Sequence, residues 1–265
     1  MIQQILGDYE MCRLALILLF GLFVAMIGSL KSTIAGETKK TGLVQYGKMH
    51  EVIGKQKHQG RVKFSDLTAK PHFYGVAALE SLAGEATVFD GKVILTKVNS
   101  DGALSSETLS QKTQAALLVG AYVESWTEHS VTTTVKSDDL DSLIEQTAKK
   151  IGLNTNEPFM FVIQGDFQNV RAHVINGACP IRARMQKEDL PERKRPYEAD
   201  LIKITGKLVG VFAKDSVGDI THPATSTHLH LLYKDDRSGE MRTGHVEQVT
   251  LQPGVTLMLP EEVAK

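Results

Sequence analysis

Three histidines in the C-terminal third have the spacing of a metal site. Residues 227–233 read Thr-His-Leu-His-Leu-Leu-Tyr, and along a β-strand His228 and His230 point to the same face. The turn-rich residues 235–239 follow, and a hairpin centred there places His245 opposite His230. Three imidazoles with one open position are the ligand set of a catalytic zinc or a related divalent ion. The hairpin is therefore predicted to bind a metal.

Three exposed histidines on a hairpin are the alternative interpretation, because His-x-His pairs also occur without a metal. The third histidine in register, directly after Gly244, favours the metal. We interpret the other histidines, which have no partners at a matching spacing, as surface or hydrogen-bonded structural residues: His50, His58, His72, His129 and His222.

A β-rich α/β chain is predicted to position these side chains, with sheet and helix first and a mainly antiparallel β unit second. Ser137 is predicted to cap a helix that Gly152 ends. An Asp90-Gly91 turn joins two short strands within 84–95. The other predicted strands are 115–126, 131–135, 159–163, 169–175, 201–212, 227–233, 244–251 and 255–259. A short helix is predicted around 48–57, and the charged residues 182–196 are interpreted as a solvated loop.

Composition limits the class of protein. The 265 residues include 30 basic and 31 acidic side chains, a balance that argues against a generic nucleic-acid binder. With 42% hydrophobic and 23% charged residues, the chain is a globular protein of one large domain or two small ones. Cys12 and Cys179 give no disulfide framework, and Cys179 is interpreted as a small core or loop residue.

An unbroken apolar run of seventeen residues, 14–30, lies near the N-terminus between two basic residues. Small residues follow at 33–35, so we interpret 1–35 as a secretory signal peptide. A single membrane anchor is the alternative, because the run is at the short limit for a membrane span. We therefore expect an exported protein, periplasmic or extracellular, or a membrane-anchored one, with 36–45 as a polar tether.

Several short motifs, in order along the chain, resemble the bacterial α-acetolactate decarboxylases. The resemblance extends from about Tyr46 to about Pro260, and its specific part is His-Leu-His at 228–230 followed by Gly-His-Val at 244–246. The other segments that carry it are 58–67, 72–79, 82–85, 89–93, 100–102, 163–167 and 205–210.

The resemblance implies a mixed β-sheet with a helix packed beside a small antiparallel β-barrel, together one compact two-part unit. Residues of about 46–157 would form the sheet part and about 158–260 the barrel part, which carries the metal hairpin. It also implies one zinc ion, with another divalent transition metal as the alternative. The ligands would be His228, His230 and His245, with Glu85 at the metal centre.

The family reaction removes the carboxylate of 2-acetolactate to give acetoin. The ion would chelate the hydroxyl and ketone oxygens and stabilise the enediolate that remains after carbon dioxide leaves. Glu85 would then return a proton. The expected partner is a small hydroxy-keto acid and not a nucleic acid, and a homodimer stays open.

The chain departs from the family pattern in residues that would hold the substrate. His173 stands where the family arginine would clamp the carboxylate, and Arg171 lies two residues away on the same strand face. Both are candidates for that contact. The family threonine is Ala78, and Glu261 and Glu262 are the only counterparts of a family C-terminal glutamate.

These departures leave two alternatives open, a related metal-dependent lyase on another hydroxy-keto acid and a non-catalytic metal- or ligand-binding module. A cupin-like barrel also uses His-x-His with a distant histidine. It usually has a glutamate three or four residues after the pair, where this chain has Lys234 and Asp235. An acid next to the three histidines would favour the enzyme over the module.

Overall fold

The computed structural model describes residues 37–38, 42–223 and 225–261. The predicted signal segment, 1–35, lies outside these residues. No helix in the described part of the chain is long and apolar enough to cross a membrane. Most of the regular structure is β-strand, arranged in two sheets whose paired strands are antiparallel.

The first sheet has the strand order β1-β2-β8-β4-β5-β6-β7, with β3 also paired to β8. Its strands are β1 (Glu37–Thr38), β2 (Val44–Tyr46), β3 (Val62–Lys63), β4 (Phe73–Leu79), β5 (Glu85–Phe89), β6 (Lys92–Val98), β7 (Leu104–Ser106) and β8 (Gln114–Tyr122). A π-helical turn (His50–Gly54), a short helix α1 (Phe64–Leu67) and a 3-10 turn (Glu80–Leu82) lie between them. Asp90 and Gly91 both have positive φ, as a tight hairpin requires, and this confirms the predicted turn.

The second sheet has the order β10-β14-β13-β12-β11-β15-β9, and an added pairing of β14 with β11 closes four strands into a ring. Its strands are β9 (Trp126–Ser130), β10 (Val135–Lys136), β11 (Phe159–Val174), β12 (Tyr197–Phe212), β13 (Thr227–Lys234), β14 (Met241–Leu251) and β15 (Thr256–Pro260). The helices are α2 (Ser137–Lys150) and α3 (Pro180–Gln186), with 3-10 turns at Glu192–Lys194 and Lys214–Ser216. The ring is the barrel-like part that the resemblance implied.

The boundary between the two parts differs from the expected one. Strands β9 and β10 and helix α2 belong with the second sheet, because β9 pairs with β15, β10 pairs with β14, and Leu140 and Ile144 of α2 are buried in the core of that sheet. The expected tether also differs, since β1 and β2 lie within it and Leu43 is fully buried.

Five local predictions were wrong in whole or in part. The predicted strands 159–163 and 169–175 are one strand, β11, because the positive φ of Gly165 and Asn169 does not end its pairing with β12. Residues 131–134 form a loop, with exposed threonines. Around 48–57 the only helical structure is the π-helical turn.

The hydroxyl of Ser137 does not cap α2, since it bonds the backbone of Val249. The charged segment 182–196 is partly helical, because α3 extends to Gln186.

Apolar side chains of both sheets form the core between them. Tyr74, Val76 and Val119 from the first sheet pack with Met160 and Val209 from the second. A buried hydrogen bond also joins the sheets, from the Thr243 backbone N–H of β14 to the Thr96 hydroxyl of β6 at 2.8 Å. This interface brings β4 and β5 next to the ring strands that carry the histidines.

Candidate metal centre and active site

The three predicted histidines lie together in the interior. His230 pairs with His245 across β13 and β14, which confirms the predicted register. His228, His230 and His245 are 5%, 1% and 5% exposed, and each offers a nitrogen within 4.8 Å of the other two. Gly244 permits this arrangement, because a Cβ atom there would meet the carbonyl oxygen of His173 on β11 at 2.9 Å. The alternative of three exposed histidines is therefore wrong.

The imidazoles are oriented as metal ligands usually are. Nδ1 of His228 lies 3.2 Å from the carbonyl oxygen of Ile220, and Nδ1 of His230 lies 3.3 Å from the hydroxyl of Thr87. Such contacts hold one ring nitrogen and leave Nε2 for the metal. Burial lowers the pKa of His228 to about 4 and that of His230 and His245 well below the usual value. The rings are thus neutral with free lone pairs, and the buried three-histidine site could hold a metal.

Glu85 lies beside this cluster. It is the first residue of β5, is 3% exposed, and has Oε2 3.7 Å from Nε2 of His230. Burial raises the pKa of its carboxyl well above the usual range, partly opposed by a hydrogen bond from the backbone N–H of Ile175. Burial therefore favours the protonated form of this carboxyl group, the form in which a carboxyl acts as a general acid.

His173 reaches the cluster, whereas Arg171 does not. His173 is 2% exposed and pairs with His245, with ring centroids 4.8 Å apart. Its Nδ1 lies 2.7 Å from the carboxylate of Glu247, and Arg184 of α3 holds the other oxygen of that carboxylate. The guanidinium of Arg171 is half-exposed, and its Nε lies 3.9 Å from Oε2 of Glu247. Arg171 is not among the described residues that line the cavity. Arg171 and His173 therefore share a strand face as predicted, since both contact Glu247, and a contact of Arg171 with the substrate stays a prediction.

One cavity joins these groups. Its described lining is Met49, Ile53, Ala78, Glu85, Leu117, His173, Ile175, Cys179, His222, His228, His230 and His245. Cys179 is buried, as expected of a small core residue, and burial raises the pKa of its thiol, which disfavours the nucleophilic thiolate. Glu261 is exposed, its backbone N–H donates to the carbonyl oxygen of Ser125, and it does not line the cavity. Glu262 lies outside the described residues.

Sequence reasoning missed His222. It lies in the loop before β13, with ring centroids 4.9 Å from His245 and 5.8 Å from His228. Burial lowers the pKa of His222 to about 3. Strand periodicity could not reveal it, because it belongs to no strand. Its nearness in sequence to the His228 pair was the available signal.

The comparisons with known proteins agree with this geometry. The profile of the family described as alpha-acetolactate decarboxylase matches residues 43–260. The chain belongs to this family. A structure of α-acetolactate decarboxylase from Bacillus subtilis strain 168 aligns with a TM-score of 0.60 at 17% identity, covering 82% of this chain and 84% of that one.

A Staphylococcus aureus protein of unknown function, similar to α-acetolactate decarboxylase, aligns with a TM-score of 0.58 at 17% identity over 83% and 86% of the two chains. Among functionally described proteins, none matches in sequence. These structures show that the fold is that of the α-acetolactate decarboxylases, a family of decarboxylating lyases.

This member of the α-acetolactate decarboxylase family differs from the expected pattern on one side of its cavity. Ala78 and His173, which stand where the resemblance places a threonine and an arginine, both line the cavity. No lysine or arginine among the described residues lines it. The metal-binding side of the cavity agrees with the pattern, and the side that would hold a carboxylate does not.

Proposed function

We propose that this protein decarboxylates 2-acetolactate to acetoin with a divalent metal, zinc by preference. The observation that carries the proposal is the buried carboxyl group of Glu85, held 3.7 Å from a nitrogen of a buried three-histidine cluster. Membership of a decarboxylase family supports it. A module that only stores metal has no need of a buried proton donor at that position.

His228, His230 and His245 would hold the ion through neutral imidazole nitrogens, the donor set that suits zinc and also other divalent transition metals. When bound, the ion supplies Lewis-acid polarisation of the hydroxyl and ketone oxygens of the substrate. Apolar wall residues, Met49, Ile53 and Leu117, limit the access of water.

The reaction needs one proton donor. Breaking the bond to the carboxylate releases carbon dioxide and leaves its electron pair on the carbon, where the neighbouring ketone delocalises it. A proton must then be added to that carbon to give acetoin. Glu85 is the carboxyl residue of the described cavity lining, and burial favours its protonated form, so it would deliver this proton from one face.

Replacement of Glu85 by glutamine tests the proposal. We expect Glu85→Gln to keep its metal and to form acetoin from racemic acetolactate about 100-fold more slowly or worse, the usual cost of losing an acid–base group. Metal analysis and an acetoin assay on the same samples measure both. Metal-loaded wild-type protein that forms no acetoin would contradict the proposal, and an unchanged rate in Glu85→Gln would assign Glu85 to structure.

A related lyase on another hydroxy-keto acid is the second candidate. The absence of lysine and arginine from the described cavity lining favours it, because acetolactate presents a carboxylate that a cation usually holds. Turnover of another hydroxy-keto acid by the metal-loaded protein, with acetolactate inert, would establish this candidate.

We further propose that the protein is exported, on the basis of the apolar run and small residues within 14–35. A membrane anchor is the alternative outcome. N-terminal sequencing of protein from the producing cell separates the two, because only a cleaved signal yields a chain that begins near Gly36. Gel filtration of the same sample tests the homodimer that the sequence analysis left open.

A further inference from the structure

The described lining of the cavity contains no lysine or arginine for the carboxylate of the proposed substrate. The guanidinium of Arg184 is bound to the carboxylates of Glu247 and Glu198. Arg171 contacts the same two carboxylates. Both arginines are therefore already paired, outside the described lining, and any hydrogen-bond donor for a bound carboxylate must come from another side chain.

One ring nitrogen of His173 is already occupied. Its Nδ1 lies 2.7 Å from one oxygen of the Glu247 carboxylate, and the guanidinium of Arg184 holds the other oxygen. The ionised carboxylate of Glu247 can only accept, so Nδ1 of His173 must donate to it. Only Nε2 of His173 is then left for a ligand, and in the tautomer that donates from Nδ1 it is an acceptor, which suits the hydroxyl of a substrate.

The ring of His222, by contrast, is free to bind a ligand. None of the described residues makes a hydrogen bond to either of its nitrogens, although the ring is largely buried and lines the cavity. An imidazole carries at least one N–H in either charge state. A ligand in the cavity can supply an acceptor for this N–H.

The position of His222 also suits this contact. Its ring lies beside His245 and His228 but outside the group of three whose nitrogens fall within 4.8 Å of one another. A substrate held through its hydroxyl and ketone at that group would therefore have His222 next to it. His222 comes from the loop before β13 and His173 from β11, so the two flank the cluster from different elements.

We propose that His222 binds the substrate carboxylate, in place of the arginine that the family pattern predicts and this chain lacks. This inference rests on the proposed function for the identity of the substrate. It makes His222 a substrate-binding residue that selects ligands with a carboxylate, while His173, positioned by Glu247, faces the hydroxyl.

Binding of two unreactive ligands tests the inference without turnover. Calorimetric titration of the zinc-loaded protein would use 2-hydroxy-2-methylpropanoate, which has the hydroxyl and carboxylate, and acetoin, which lacks the carboxylate. We expect His222→Ala to weaken binding of the acid at least about tenfold, as loss of a hydrogen bond to a charged group does, and to leave acetoin binding unchanged. His222→Gln, which restores an N–H donor, should recover most of the loss.

His72→Ala is the matched control, because His72 pairs with Asp90 at the surface and should leave both ligands unaffected. With acetolactate, His222→Ala should raise KM at least about tenfold and change kcat less. Equal weakening of both ligands, no weakening of either, or loss of bound zinc in His222→Ala would each overturn the inference. Selective loss of the acid in a protein that proves inert towards acetolactate would uphold it and refute only the proposed reaction.

Discussion

Two sides of the same cavity are built in different ways. The metal side consists of His228, His230 and His245 on one hairpin, where neighbouring strands fix each side chain by regular pairing. The opposite side consists of His173 on β11, whose ring contacts Glu247, and His222 in the loop before β13. The metal side is a local arrangement, and the opposite side depends on contacts between residues distant in the chain.

A β-bulge shows why the opposite side is irregular. On β14, Gln248 pairs with Arg171 and Val246 with Ala172, so Glu247 has no partner across the ladder. Its side chain instead contacts His173, at 2.7 Å, and Arg184. Bulges often redirect a side chain beside a functional site, and this one supplies the carboxylate that orients His173.

Removal of one ligand from the metal side should have the largest effect. We expect His230→Ala to lower the affinity for zinc by more than about 100-fold, which exceeds the usual effect of losing an outer-shell partner, and to abolish acetoin formation. Two imidazoles cannot complete the site. Metal analysis after dialysis and the acetoin assay measure these effects, with His72→Ala as the control. A variant that keeps one zinc per chain would show that the hairpin is not the metal site.

The metal side could be predicted from sequence because each step is short-range. The alternation of side chains along β13 and a hairpin turn centred within 235–239 were enough to place His245 opposite His230. Glu85 was placed only through the family resemblance, since its distance from His230 depends on how the two sheets pack.

The opposite side could not be predicted in the same way. Strand alternation put Arg171 and His173 on one face, and both contact Glu247, but only His173 is buried in the cavity wall. His222 lies in a loop, where no periodicity applies. The prediction divided the single strand β11 in two for a related reason, because in the sequence alone Gly165 suggests the end of a strand.

Replacement of Glu247 should have a smaller effect, confined to the opposite side. The pKa of Glu247 is lowered to about 2, so its ionised carboxylate stabilises the fold at pH values above the unfolded-state pKa of about 4.3. This stabilisation is lost as pH falls towards 2. We expect Glu247→Gln to reduce the free energy of unfolding near neutral pH by about 1–2 kcal/mol, with Arg184 partly solvated, and to retain zinc. Urea denaturation at pH 6 and pH 3 measures this difference, which should shrink at the lower pH. An equal difference at both values would contradict the assigned ion pair.

Removal and return of the metal tests the central claim most directly. Wild-type protein stripped with a chelator, then given one equivalent of zinc, is assayed for acetoin from racemic acetolactate at each stage. The account predicts that acetoin formation falls to the uncatalysed rate without the metal and returns with it, in wild type but not in His230→Ala. Acetoin formation that persists in the stripped protein would contradict it, as would a zinc-loaded protein that forms none.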